Sequence, residues 1–286
     1  MNNKGQFGLM IGILVGVIII ATIVAIIIGK SQTTTIIVQN TTIVQNTTLE
    51  QNTTIVQNTT ITLEHTIKIA NWNLQIFGVS KASNPEILQF YYDKLKSYDI
   101  IFVQEIRDVS NTSFNKLCEK FSDYNCKISA RDGRTDSKEQ VGIIYKKDIG
   151  LMTYYTQQDP NDVWERSPIM SVFNNGIHIY NAHLKPEDVT NELHAFENLI
   201  AYQGPVIILG DFNADCDYYD PLKDTAFDSW DWLITTDTTV SKNDCVYDRI
   251  IVNDYAKKYI KDYGVDSIGI NTTYSDHYIV WSEVIW

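Results

Sequence analysis

The residues of this chain that could do chemistry gather at the ends of apolar runs. Val206–Leu209 is followed by Gly210-Asp211-Phe212-Asn213-Ala214-Asp215-Cys216-Asp217, in which Asp211, Asn213, Asp215 and Asp217 alternate. Gly, Asp and Asn are also ordinary turn residues after a strand, so this stretch alone leaves a plain turn and a functional loop both open. The pattern recurs, however. Ile67–Asn71 is followed by Trp72-Asn73, Asp99–Val103 by Gln104-Glu105, and Ile177–Asn181 runs into Ala182-His183. Tyr247-Asp248 leads into Arg249–Val252, and Ser275-Asp276-His277 leads into Tyr278–Val284. Each run delivers an acid, an amide or an imidazole at one end, and in packed sheets such ends can meet at a single rim.

The residue types define the chemistry. Asn73, Glu105 and Asp276 are hard oxygen donors, which suit Mg²⁺ or Mn²⁺ better than zinc. No Cys/His set has zinc-ligand spacing. His183 and His277 titrate near neutral pH and sit beside acid-bearing strand ends, unlike His65, His178 and His194. A lone histidine is more often a packing or surface residue than a catalyst, but two in such company favour function. A hard metal with one proton acceptor, one proton donor and amide groups makes a phosphodiester-cleaving site.

The elements that must position these groups are strands interleaved with helices. Besides the runs above, Val141–Tyr145 reads as a strand. Asn84 before Pro85 reads as a helix cap with proline in the first turn, burying Ile87, Leu88, Tyr91 and Leu95. A second helix fits Glu187–Tyr202, with Leu193, Phe196, Leu199 and Ile200 on one face. Strands outnumber helices, so the expectation is one α/β domain of packed sheets flanked by helices over residues 65–286.

The first 64 residues are a different kind of sequence. Phe7–Gly29 carries no charge for 23 residues. As a helix at about 1.5 Å per residue it would span a bilayer core of roughly 30 Å, and residues 1–30 are expected to form a membrane anchor. Lys4 and Lys30 bracket the run, so charge barely sets its orientation. Lys4-Gly5-Gln6 resembles a prepilin-type processing site, and cleavage after Gly5 would leave the apolar run in place. Residues 31–64 contain the six-residue repeat QNTTIV, QNTTLE, QNTTIV, QNTTIT, with sequons at Asn40, Asn46, Asn52 and Asn58. This Thr/Asn-rich stretch is expected to be a glycosylated stalk holding the domain clear of a membrane on its extracytoplasmic side, a plain tandem expansion being the alternative. Net charge is −12 over 286 residues. That excludes a general basic footprint for nucleic acid but not an enzyme gripping phosphates through a metal and a few arginines.

Taken in order, the stretches IKIANWNLQIFG, DIIFVQEIRD, Lys138-Glu139, WERSP, NAHL, GDFNADC, YDRIIV and SDHY resemble the endonuclease/exonuclease/phosphatase superfamily. QEIRD together with GDFNADC resembles its deoxyribonuclease I branch. The resemblance covers residues 65–286 and none of the preceding segment. It implies a four-layered α/β sandwich with two packed sheets.

By resemblance, Glu105 would be the principal metal ligand, with Asn73 and Asp276 close by. Asp248 would orient His277 and Glu139 would orient His183, one pair activating water and the other protonating the leaving oxygen. Asp211 and Asn213 would position the scissile phosphate and the nucleophile. Arg107, Arg134 and Arg166 match positions that contact phosphate or the nucleic-acid backbone. Cys216 and Cys245 match the family's structural disulfide; Cys118 and Cys126 could form a second, local bridge, and four free thiols are the alternative.

Two family contacts to duplex DNA are replaced, a tyrosine by Ser137 and an arginine by Gln75, which puts duplex preference in doubt. The expectation is a membrane-anchored, extracytoplasmic, Mg²⁺-dependent endonuclease that cleaves DNA with little sequence specificity. Mn²⁺ and a structural Ca²⁺ remain open, and no protein partner is inferred. The alternatives are a related phosphoesterase acting on sphingomyelin or an inositol phosphate, and a non-catalytic surface protein.

Overall fold

The computed structural model describes residues 65–135 and 138–286, together with three strands of the preceding segment. The chain divides between His65 and Thr66 into two units. In the first, β1 (Ile19–Ile26) pairs antiparallel with β2 (Thr35–Thr42), and β2 pairs antiparallel with β3 (Ile55–Thr62). This corrects the helix expected over Phe7–Gly29 where the two overlap. Ile19–Ile26 is extended, as β-branched Ile, Val and Thr favour, and its backbone pairs along Thr35–Thr42. Parts of the repeat expected to be a stalk are likewise paired strands. Among the described residues, no helix is long and apolar enough to cross a membrane. The rest of the expected anchor, and Ser137, lie outside the described residues.

The second unit opens with β4 (Thr66–Phe77), α1 (Val79–Ala82), α2 (Pro85–Leu95) and β5 (Ile100–Ile106). Then come α3 (Thr112–Cys118), β6 (Tyr124–Ile128), β7 (Gln140–Lys146), β8 (Leu151–Thr156), β9 (Ile169–Phe173) and β10 (His178–His183). A 3₁₀ turn, Pro186–Asp188, leads into α4 (Val189–Leu199). The unit ends with β11 (Val206–Asp211), β12 (Asp231–Trp232), β13 (Asp248–Val252), α5 (Asp254–Lys257), β14 (Ile260–Asp266) and β15 (Ile279–Ile285). Two six-stranded sheets result, ordered β14-β15-β4-β5-β7-β6 and β12-β13-β11-β10-β9-β8.

The sheets pack face to face over Ile69, Phe102 and Ile143 on one side and Ile179, Leu209 and Ile250 on the other. The outer face of the first sheet packs Trp72, Ile101 and Val103 with Tyr91 and Leu95 of α2. The outer face of the second packs Tyr180 and Ile208 with Leu193 and Phe196 of α4. Strands covered on both faces read as continuous apolar runs, which is why β5 and β11 stood out in the sequence. As expected, Asn84 caps α2, its side chain accepting from the backbone N–H groups of Glu86 and Ile87.

Topology decides where the polar ends go. Only β4–β5 and β10–β11 pair in parallel within these sheets, each joined by a helical crossover. Asn73 and Glu105 therefore leave their strands on one side, as do His183 and Asp211. The neighbouring antiparallel strands begin where those end: Asp248 pairs with Asp211, and His277 lies two residues before β15.

Candidate active site

Beneath the site lies a lattice of buried amides joining the two sheets. Gln104 accepts from Asn71 Nδ2 at 3.1 Å and donates to Asn181 Oδ1 at 3.0 Å and to the Ala182 carbonyl at 2.7 Å. Asn181 Nδ2 closes the ring on Asn71 Oδ1 at 2.8 Å. Gln104 Oε1 also accepts from the Asp211 N–H at 3.0 Å, which fixes the end of β11. Gly210 is required there. A Cβ on it would lie 1.9 Å from the Ala182 carbonyl oxygen, and its φ is +152°.

Asp211 is the hub. Its Oδ2 accepts from Asn73 Nδ2 at 3.1 Å and lies 3.5 Å from both His183 Nε2 and His277 Nε2. Its Oδ1 accepts from the Asn213 N–H at 3.0 Å, with Asn213 in the left-handed region at φ 49°. The Asn213 side chain donates to the Leu184 carbonyl at 2.9 Å. Burial would raise the Asp211 pKa, but His277 and His183 pull it below the usual carboxylate value.

Each histidine is held from behind by a buried carboxylate. His277 Nδ1 is 2.7 Å from Asp248 Oδ2, and His183 Nδ1 hydrogen-bonds Glu139 Oε1. Burial disfavours both imidazolium ions, yet Asp248 and Asp211 raise the pKa of His277, and Glu139 raises that of His183. Burial would raise Glu139, but His183 and two arginines lower it. Asp248 is raised by its complete burial.

The remaining expected residues sort by placement. Glu105 takes Asn73 Nδ2 on Oε1 at 3.2 Å, and the Ile76 N–H at 2.8 Å and Arg107 Nη2 at 3.0 Å on Oε2. Arg107 also reaches Glu139 Oε2 at 3.6 Å, and Arg166 Nε lies 3.4 Å from Glu139 Oε1. Asp276 Oδ1 is 3.6 Å from His277 Nε2, while Gln75 Nε2 donates to Asp276 Oδ2 at 2.9 Å. An open cleft of roughly 470 Å³ is lined by Glu105, Arg107, Arg166, His183, Asp211 and His277, among others. Arg134 is not among its lining residues; its guanidinium faces the Asp162 carbonyl, Glu165 and Glu192. Asp215 serves structure, accepting from the Val246 N–H at 2.6 Å. Cys216 is bonded to Cys245, and Cys118 to Cys126.

The donor set fits a hard divalent cation. Glu105, Glu139 and His183 offer ligand atoms within 4.8 Å of one another. That grouping shares Glu105 with the expected set of Glu105, Asn73 and Asp276 and adds the hydrogen-bonded pair Glu139–His183. Buried oxygens of Glu139 (Oε2) and Asp276 (Oδ1) accept no hydrogen bond, an unmet demand of the kind a cation satisfies.

Sequence reasoning gave no role to several supporting groups. Asn71, Gln104 and Asn181 are polar residues within otherwise apolar strands, and that interruption was the available signal. Asp108 of QEIRD accepts from Ser110, Thr112 and Ser113 and so ties down the start of α3. Glu192 on α4 accepts the N–H groups of Glu165 and Lys185, at 2.6 and 2.7 Å, fixing two walls of the cleft.

Two sheets, paired carboxylate–imidazole groups and an acidic metal-binding rim define a phosphoester hydrolase. The chain belongs to the Endonuclease/Exonuclease/phosphatase family, whose model matches residues 70–277, and within it to the deoxyribonuclease I branch. It is a metal-dependent phosphodiesterase. Deoxyribonuclease-1 of Gallus gallus is 31% identical over 229 residues, covering 70% of this chain and 81% of that protein. Deoxyribonuclease-1 of Homo sapiens is 30% identical over 217 residues, covering 65% and 77%. Among solved structures, humanized D. rerio TDP2 superposes with a TM-score of 0.58 at 15% identity, covering 76% of this chain and 98% of that one, a likeness of fold.

Proposed function

We propose that this chain is an endonuclease that hydrolyses DNA phosphodiester bonds with Mg²⁺ and little sequence specificity. The observation that carries the reading is the convergence of two carboxylate-backed imidazoles on one oxygen of Asp211, next to Glu105. One imidazole takes the proton of the attacking water and the other gives a proton to the leaving 3′ oxygen, each oriented through Nδ1 by its carboxylate. Asp211 and Asn213 position the phosphate and the nucleophile, and Arg107 and Arg166 supply positive charge in the cleft. A divalent cation held by Glu105, with Asn73 and Asp276 beside it, would offset charge on the phosphoryl oxygens. DNA as substrate is supported by the deoxyribonuclease-1 relatives.

Two disulfides support an oxidising, extracytoplasmic location. Membrane association rests on the uncharged run Phe7–Gly29, and glycosylation on the repeat's sequons.

The test is nicking of supercoiled plasmid by the full-length chain with Mg²⁺, with EDTA, and with His183→Ala. Metal-dependent nicking abolished by the substitution is expected. A folded, metal-loaded chain that leaves the plasmid intact would overturn the assignment to duplex DNA.

A further inference from the structure

Lys81, in the short helix α1, is half-buried and points its ammonium group at three backbone carbonyls. Nζ donates to Leu74 O at 2.8 Å, Gln75 O at 2.6 Å and Tyr274 O at 2.8 Å. The first two carbonyls belong to the stretch after Asn73 where β4 turns out of register with β5. The third belongs to the loop that delivers Asp276 and His277. One cation thus clamps the two backbone segments that carry two of the candidate metal ligands.

The turn it holds is strained. Gln75 and Ile76 have φ of 47° and 54°, and a β-branched residue in this region is a real outlier. Strain of this kind persists only where surrounding contacts over-determine it. Here the strained turn sends the Gln75 amide to Asp276 Oδ2 at 2.9 Å and the Ile76 N–H to Glu105 Oε2 at 2.8 Å. The turn thereby fixes one oxygen of each carboxylate; Glu105 Oε1 takes Asn73 Nδ2 at 3.2 Å, whereas Asp276 Oδ1 stays buried without a hydrogen bond. The opposing loop is tied to β4 and to α2 as well: Ser275 Oγ donates to Asn73 O at 2.6 Å, and Tyr91 Oη of α2 to Tyr274 O at 2.6 Å.

We infer that Lys81 is a positioning residue for the metal site, holding the Gln75–Ile76 turn against the Tyr274 loop so that Glu105 and Asp276 present their oxygens to one cation. The inference rests on the metal-dependent reading of the site. Electrostatics alone predicts the opposite sign, which makes the idea testable. The Lys81 ammonium feels the charges of Asp276 and Glu105, so deleting its charge should by itself tighten binding of a divalent cation.

The experiment is calorimetric titration of the full-length chain with Mn²⁺, without nucleic acid, for wild type, Lys81→Met and Lys81→Arg. Far-UV circular dichroism would follow the fold of each. Positioning predicts a Kd raised about tenfold or more in Lys81→Met, as for other residues that orient metal ligands. Lys81→Arg should weaken binding too, because a planar guanidinium cannot direct three bonds from one point. Cleavage by either variant should then recover as Mn²⁺ is raised. An unchanged or lower Kd in folded Lys81→Met overturns the inference. Should Lys81→Met not fold, an unchanged Kd in the charge-preserving Lys81→Arg overturns it equally. Absence of Mn²⁺ binding by the wild-type chain would instead overturn the metal reading of the site.

Discussion

His183 ends β10 of one sheet and His277 lies in the loop that enters β15 of the other, yet each places Nε2 3.5 Å from the same oxygen of Asp211. The two imidazoles therefore form one unit about a shared carboxylate, and the packing of the sheets sets their separation. Groups acting as a unit lose function together. Replacing either by Ala should lower kcat by about 10²–10⁴-fold, the usual worth of positioned acid–base catalysis. The double variant should be little worse than the poorer single one. Single-turnover nicking at saturating Mg²⁺ measures this; multiplicative losses would show that the two act independently.

The shared charge also sets a pH dependence. Burial disfavours the His277 imidazolium, but Asp248 and Asp211 outweigh it and raise its pKa to about 10. A folded value above the unfolded one, about 6.5, stabilises the protein fully below pH 6.5. That stabilisation is lost as the pH rises through about 10. In metal-free protein, urea stability should fall between pH 7 and 10, and fall less in His277→Gln. Cleavage needs one neutral imidazole, so its rate should climb into the alkaline range. Asp248→Asn should move the His277 titration, followed by NMR, to lower pH; a wild-type His277 titrating near 6.5 would contradict the argument.

Gln104 should matter as much as a residue that touches substrate. Gln104→Leu leaves Asn71 Nδ2 and the Asp211 N–H without their partner, and each buried orphan costs about 1–3 kcal/mol. Urea unfolding should show a loss of roughly that size per group, with kcat reduced because Asp211 is no longer pinned. Unchanged stability would mean that the lattice repairs itself with water.

Much of this architecture was legible in the sequence, for identifiable reasons. Strands buried on both faces announce themselves as apolar runs, so β5, β7, β10, β11, β13 and β15 were found to within a few residues. Edge strands do not. Tyr124–Ile128, Leu151–Thr156 and Ile260–Asp266 alternate with polar residues or stay largely exposed, and they were missed. The polar strand ends were legible because acids, amides and imidazoles are out of place beside a core. Their geometry was not: Arg134 turns to Glu165 and Glu192, and Glu139 joins Glu105 and His183 in the metal-capable cluster. Such distinctions depend on distances between residues far apart in the chain. The helix expected over Phe7–Gly29 was read from length and apolarity, which do not distinguish a helix from a β-branched strand where Ile19–Ile26 pairs with Thr35–Thr42.

The ring of Asn71, Gln104 and Asn181 has a consequence for folding fidelity. Hydrophobic attraction is non-directional, so two faces lined by Ile, Val and Leu could dock at several offsets with nearly equal burial. Amides are not so tolerant. A slip of one sheet over the other by a single residue would strand three side-chain amides in an apolar interior at once. The ring therefore acts as an indexing pin, rejecting misaligned dockings that oily packing alone would accept. Because His183 ends β10 and His277 leads into β15 of the other sheet, choosing the correct offset is the same event as bringing the two imidazoles together.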